Sequence, residues 1–327
     1  MTDAVIAEGL VKRYKDVTAL DGLDLRVPQG SVLGVLGPNG AGKTTAVKIL
    51  TTLIKPDAGR VEVANVDVLA DPAAARRQIG VSGQYAAVDE YLTGFENLDM
   101  VGRLYHLGAR RSRERARELL AQFDLEDAAD RMAKQYSGGM RRRLDLAGAL
   151  VARPPVLFLD EPTTGLDPRS RTDMWQVIQQ LVAGGTSLLL TTQYLEEADL
   201  LADNIIVIDH GKVIAEGNAD QLKARVGGER LEITVSDETQ LDRAEQMLKP
   251  LSIGQVVREE HRRSLLVPVS GGASVLADAL RRLDAEHIGV DDVGLRRPTL
   301  DDVFLTLTGH TAEAEASEAN QPEEVSA

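Results

Sequence analysis

Residues 32–36, Val-Leu-Gly-Val-Leu, run directly into GPNGAGKTT at 37–45 and then into Ala46, Val47, Ile49 and Leu50. The first run has the length and apolar continuity of a strand buried on both faces, and the last has helical spacing. A buried strand turning into a helix within a few glycine-rich residues is the kind of unit from which a parallel sheet with crossover helices is built. The spacing Gly37, four residues, Gly42, Lys43, Thr44 is the Walker A pattern, with the strand before it and the helix after it that the motif requires. Glycines let backbone N–H groups curl around phosphate oxygens at a helix N-terminus, where the partial charge is favourable. The loop Gly37, Pro38, Asn39, Gly40, Ala41 and Gly42, with Lys43, Thr44 and Thr45 at the helix start, is therefore expected to cradle a polyphosphate. Lys43 would neutralise the terminal phosphates, and Thr44 would offer its hydroxyl to Mg2+. A ligand-free strand-to-helix turn is the alternative.

A second apolar run, VLFLDEP at 156–162, ends in two adjacent carboxylates. Successive side chains on a strand point to opposite faces, but at a carboxyl end the chain turns and both acids can reach one crevice. Asp160 suits a Mg2+ shell, and Glu161 suits a water beside a γ-phosphate. An Asp-Glu pair capping the next helix is the other reading. In YSGGMRRRLDLAGAL, Ser137, Gly138 and Gly139 precede a helical pattern and make a further candidate anion site, weak by itself. No site is read into MRRRLD.

Composition narrows the rest. The 327 residues suit two domains, and 51 acidic against 37 basic side chains give a net charge of -14, which disfavours general nucleic-acid binding. Absence of cysteine excludes disulfides and thiol chemistry. No leader pattern opens the chain and no apolar run reaches the roughly 18 residues of a membrane span, so a soluble chain is expected whose membrane role comes through a partner. Alternating apolar runs and amphipathic segments through the first two thirds predict a mainly parallel sheet with crossover helices, interrupted over about 89–150 by a helical insertion. ARRSRERARE, in which Glu114 and Glu118 are interleaved at helical spacing, reads as a solvated, ion-paired face. Gly227 and Gly228 mark a junction. Beyond it the order is strand (RLEITVS), helix (238–248), two strands around Val256 and Leu266, helix (273–283) and strand (IGVDDVGLRR), a split βαβ arrangement. The acidic residues 310–327 are expected to be disordered.

These motifs, in this order, resemble the ATP-binding subunit of ABC transporters over roughly residues 4–226, a P-loop NTPase α/β fold with a helical subdomain. The signature reads YSGGM where the family usually has LSGGQ. The resemblance implies a head-to-tail homodimer in which Ser137, Gly138, Gly139 and Met140 of one chain close over ATP held by the other's Walker A. It further implies that Tyr14 stacks on adenine, that Gln84 in VSGQY senses Mg2+ and the membrane subunit, and that Asp167 in TTGLDP links the two sites. A strand tyrosine, a polar turn residue and a cap before Pro168 are the plainer readings. Gln193 in LLLTTQYLEEAD stands where the family usually has histidine; its amide can donate a hydrogen bond but cannot become cationic. A cap on the following helix is its alternative.

GQYAAVDEYLTGFENL, YSGGMRRRLDLA, EPTTGLDPRSR, TTQYLEEAD and the late RRPTLDDVFLTLTGH narrow the resemblance to the ATP-binding subunits of actinobacterial daunorubicin/doxorubicin-resistance exporters, through about Gly309. That implies an ABC ATPase domain over 1–226 and a small α+β domain over 229–309, regulatory or dimer-stabilising, with a purely structural extension equally open. It implies ATP and Mg2+ as cofactors, an integral-membrane permease as partner, a peripheral place on the cytoplasmic side of the cell membrane, and a hydrophobic drug or antibiotic, anthracycline-like, as cargo. Export of a lipid, a soluble ABC ATPase working outside transport, and a nucleotide-dependent drug-sequestering protein are the competing readings.

Overall fold

Two twelve-residue strands, β1 (Asp3–Tyr14) and β2 (Val17–Pro28), open the computed structural model, which describes residues 2–83, 87–226, 229–259 and 262–309. After them come β3 (Val32–Leu36), α1 (Lys43–Leu50), β4 (Ala58–Val63), β5 (Val66–Asp67), α2 (Pro72–Arg76) and β6 (Ile79–Ser82). A helical stretch follows: α3 (Gly94–Leu104), α4 (Ala109–Gln122) and α5 (Gly138–Ala149). The chain then alternates through β7 (Val156–Asp160), α6 (Pro168–Ala183), β8 (Ser187–Thr191), α7 (Leu195–Leu201), β9 (Asn204–Asp209), β10 (Lys212–Gly217) and α8 (Ala219–Val226).

The expected parallel sheet has six strands in the order β10-β9-β3-β8-β7-β6, all parallel except β10. Its strands read as continuous apolar runs because both faces are covered. On β7, Val156 and Phe158 enter one core with β1, β2 and α1, whereas Leu157 and Leu159 enter a second core with α4, α5 and α6. Fully burying each such Leu or Phe contributes about 1.5–3 kcal/mol.

The first core has a second wall that the sequence reading did not anticipate, an antiparallel sheet in the order β2-β1-β4-β5. Its strands bury one face only. Val5, Leu10, Leu20, Leu23, Leu25, Val61 and Val63 point inward, and charged residues such as Arg26, Glu8 and Arg60 pair on the outside. Patterns of that kind do not stand out from amphipathic segments in a chain already read as alternating strand and helix.

In the expected helical insertion, α3 starts at a capping box formed by Thr93 and Glu96. The expected ion pairs line α4, Arg110 to Glu114 at 2.8 Å and Arg115 to Glu118 at 2.9 Å.

The molecule divides into two compact units, one up to Ala219 and the other Asp220–Gly309. Beyond α8 the second unit contains β11 (Arg230–Val235), α9 (Leu241–Leu248), β12 (Val257–Glu259), β13 (Ser264–Pro268), α10 (Ala273–Ala285), β14 (Val290–Arg296) and α11 (Leu300–Thr308). Its antiparallel sheet runs β12-β13-β11-β14, the strand order of a split βαβ domain, and Leu231, Ile233, Leu248, Leu265, Val267 and Leu283 share its core. Two details differ from the sequence reading. Residues 238–240 form a 3-10 turn ahead of α9, initiated by Asp237, and α8 and α11 were not foreseen. The expected junction at Gly227 and Gly228 and the expected acidic tail lie outside the described residues.

Candidate nucleotide site

Five parallel strands end on one edge of the large sheet, and the loops leaving those ends carry most of the candidate residues. In open α/β sheets this edge is where ligands bind. Val35 and Asp160 both register with Thr191, so the strands that lead into the glycine loop and into Glu161 flank β8, each about 4.8 Å away.

The glycine loop is shaped by sterics. A Cβ on Gly37 would lie 2.3 Å from the Ile208 carbonyl oxygen of β9, and one on Gly42 would lie 2.5 Å from the Ala19 carbonyl oxygen of β2. Gly42, with φ +109°, is also in backbone space that side chains rarely adopt. It precedes α1 without any side-chain cap, so the first N–H groups of the helix face the loop. Lys43 is 5 % exposed, and its Nζ donates to the carbonyl oxygens of Gly37 at 2.6 Å and Pro38 at 3.1 Å. A buried ammonium held by the loop's own carbonyls is poised for an anion. Asn39 and Gly40 are exposed, and Thr44 and Thr45 are half-buried at the helix start.

At the end of β7, Asp160 is 5 % exposed and its Oδ1 accepts from the Thr191 hydroxyl. Glu161 has φ +52°, a left-handed conformation that costs a non-glycine residue on the order of 1–3 kcal/mol and that clusters at functional sites. Its N–H donates to the Thr191 carbonyl at 3.0 Å, and its Oε2 accepts from the Thr164 hydroxyl at 3.2 Å. Gln193 leaves β8 half-buried on the same edge. The helix that follows is preceded by Tyr194 and has no side-chain cap, so the reading of Gln193 as a cap is not what the structure contains.

The remaining candidates sit on neighbouring elements. Tyr14 ends β1, 45 % exposed, with the Lys12 ammonium 5.6 Å from its ring centre. It belongs to the hairpin whose β2 side packs against Gly42. Ser137 is exposed and caps α5 by accepting from Met140 N–H. Gly138 is exposed, and a Cβ on Gly139 would lie 2.8 Å from the Ser170 hydroxyl. Asp167 caps α6. Its carboxylate takes the Ser170 hydroxyl and N–H, hydrogen bonds that hold it below the usual carboxylate range. Gln84 lies outside the described residues.

Sequence reasoning missed three buried charged side chains here. Arg142 and Asp145 are each 6 % exposed on α5, and Glu197 on α7 is fully buried. Burial pushes the Glu197 carboxyl up. Its Oε1 accepts from the Thr163 hydroxyl and the Trp175 indole N–H, both at 3.0 Å, joining the turn after Glu161 to the helix after Gln193.

Comparison with known proteins shows the family. A family model described as ABC transporter matches residues 20–164, and one described as ATP-binding protein DrrA1-3-like, C-terminal domain, matches 217–308. The daunorubicin resistance ATP-binding protein DrrA2 of Streptomyces coeruleorubidus is 56 % identical over 97 % of this chain and 98 % of its own length. This chain belongs to the DrrA-type family of ABC transporter ATP-binding proteins.

Another member, the daunorubicin/doxorubicin resistance ATP-binding protein DrrA of Streptomyces peucetius, is 49 % identical over 99 % of this chain and 98 % of that one. Among solved structures, an ATP-binding cassette in a dimeric, post-hydrolysis state bound to ADP and Pi matches with TM-score 0.61 and 28 % identity, covering 65 % of this chain and 98 % of the cassette. As an ABC ATP-binding subunit the chain is a P-loop ATPase, and membership implies a permease partner and paired cassettes. No helix among the described residues is long and apolar enough to cross a membrane.

Proposed function

We propose that two copies of this chain, paired head to tail on the cytoplasmic face of the cell membrane, hydrolyse ATP to drive a separate permease that exports a hydrophobic, anthracycline-like drug or antibiotic. The observation that carries the hydrolytic part is the row of Lys43, Asp160, Glu161 and Gln193 along one sheet edge. The cargo reading is supported by the full-length similarity to daunorubicin-resistance proteins. In this reading the ATPase domain is 1–226, and 229–309 is a regulatory or dimer-stabilising α+β domain.

Each residue has a task. Tyr14 stacks on adenine. The loop N–H groups of Asn39, Gly40, Ala41 and Gly42 and those of Lys43, Thr44 and Thr45 hold the phosphates, and the Lys43 ammonium exchanges carbonyl contacts for terminal phosphate oxygens. Glu161 polarises the attacking water. The half-buried amide of Gln193 donates to a γ-phosphate oxygen as a neutral group. Ser137, Gly138, Gly139 and Met140 close on the partner's ATP, and Asp167 links the two sites.

Mg2+ fits the donors. The donors at the helix start and at the end of β7 are oxygens, the half-buried Thr44 hydroxyl and the buried Asp160 carboxylate. That suits an ion that keeps its waters and takes phosphate oxygens beside one carboxylate. The Thr44 hydroxyl and the Asp160 carboxylate, with Oδ1 already oriented by Thr191, would hold it. When bound, it would neutralise charge building on the phosphates.

Inverted vesicles containing the permease are expected to take up daunorubicin when this chain and ATP are added. Binding of drug by the purified chain without vesicle uptake would favour sequestration, and uptake of an envelope lipid instead would reassign the cargo. For Gln193, the His variant is expected to turn over within a few-fold of wild type, and the Ala variant about 10-fold or more slowly, the scale of one lost hydrogen bond. Phosphate release decides it. An Ala variant as fast as wild type removes Gln193 from the mechanism.

A further inference from the structure

Arg142 lies on α5, five residues beyond Ser137, with its guanidinium turned into the protein. Its Nε donates to the Pro162 carbonyl at 2.6 Å, its Nη2 to the carbonyls of Glu161 at 2.9 Å and Asp160 at 3.3 Å, and its Nη1 to the carbonyl of Gly83. A guanidinium presents five N–H donors in a fixed plane. Here they converge on three consecutive carbonyls of one turn. That turn contains the left-handed Glu161, whose N–H is tied to Thr191 from the other side. The peptide units on both sides of Glu161 are therefore held, and with them the direction in which its side chain leaves the backbone.

Asp145 seats the guanidinium. It lies one helical turn further along α5, with Oδ2 3.9 Å from the Arg142 Nη1. The same carboxylate accepts from the Ser82 hydroxyl at 2.5 Å and from the Ala87 N–H at 2.7 Å. One helix thus grips the turn after β7 and the chain after β6, and that helix starts at Ser137.

We propose that Arg142 is the positioning residue for Glu161, seated by Asp145, holding the left-handed turn so that the carboxylate meets the attacking water and moves as one body with the Ser137 end of α5. The proposal rests on the reading of Glu161 as the group that polarises water. In this proposal Arg142 acts on Glu161 through the backbone, by way of the carbonyls of Asp160, Glu161 and Pro162.

The test uses the full chain, labelled ATP and four proteins: wild type, Arg142→Gln, Arg142→Lys and the double variant Arg142→Gln/Glu161→Gln, each compared with Glu161→Gln. A misplacement of about 1 Å at a reacting group costs on the order of 10²-fold. Arg142→Gln is therefore expected to lower kcat on the order of 10²-fold with KM changed less than about threefold, and Arg142→Lys, which keeps a charge and three donors, to recover part of the loss. Because Arg142 works through Glu161, the double variant should release phosphate no more slowly than Glu161→Gln alone. A kcat for Arg142→Gln within about threefold of wild type overturns the proposal. So does a double variant slowed relative to Glu161→Gln by the full factor seen in the single variant, and so does loss of cooperative thermal unfolding in both Arg142 variants, which would make the residue structural. If Glu161→Gln itself turns over normally, the reading of Glu161 falls first and is recognised as a separate failure.

Discussion

Lys43→Ala is expected to leave a folded chain that no longer retains ATP and whose turnover falls by about 10³-fold or more. The ammonium is 5 % exposed and bonded to the carbonyls of Gly37 and Pro38, which keeps a positive charge inside the loop before any phosphate arrives. Charge-assisted hydrogen bonds of this kind are about twice as strong as neutral ones, and losing one preorganised donor costs about 10²–10³-fold in rate. Lys43 would supply more than one such bond, together with the neutralising charge. The fold should tolerate the change, because α1 is anchored by Ala46, Val47, Ile49 and Leu50 in the first core. Fluorescent-nucleotide binding and phosphate release, with thermal melts as control, check this. Drug resistance conferred on a sensitive host should vanish in parallel. An alanine variant that holds ATP with wild-type affinity would refute the phosphate-cradle reading of residues 37–45.

The parts of this site that were legible in the sequence are those set by local constraints. Gly37 and Gly42 stand where β9 and β2 approach too closely for a Cβ, and VLFL at 156–159 is apolar because both faces of β7 are covered. Such pressures leave unambiguous letters. The antiparallel sheet was illegible because its strands bury one face only and so resemble amphipathic segments, and because the pairing that joins its two hairpins, β1 to β4, spans more than forty residues. Arg142, Asp145 and Glu197 were missed for a different reason: charged residues on helices usually face water. A signal was nevertheless present. Arg142, Asp145, Leu146 and Ala149 fall at i, i+3, i+4 and i+7, one stripe of α5, and all four are buried. A charge pair inside an apolar stripe asks what backbone it serves, and here the answer is the turn at Glu161. Burial lowers the Arg142 pKa from its ordinary value and raises that of Asp145, with their mutual attraction opposing both shifts. The pair survives burial because the carbonyls of residues 160–162, the Ser82 hydroxyl and the Ala87 N–H complete its hydrogen bonding.

Glu161→Gln separates binding from chemistry. The substitution preserves volume and retains an oxygen able to accept from the Thr164 hydroxyl, so the left-handed turn and its ties to Thr191 and Arg142 should persist. Lys43, Thr44 and the glycine loop are untouched, and ATP should bind with near wild-type affinity. What is lost is the anionic oxygen that draws a proton from the attacking water, a contribution of about 10²–10⁴-fold. Turnover is accordingly expected to fall by about 10²–10³-fold while ATP accumulates on the protein, and if two chains close on two nucleotides, the ATP-loaded dimer should become the dominant species in size-exclusion chromatography. Glu161→Ala should be equally slow, since neither side chain can act as a base. Asp160, which shares the end of β7, predicts a contrasting phenotype: in Asp160→Asn the weakened Mg2+ ligand should raise the Mg2+ concentration needed for ATP retention, a shift Glu161→Gln should not show. Normal phosphate release by Glu161→Gln would transfer the base to another group, and the half-buried Gln193, which has no basic atom, could not take its place.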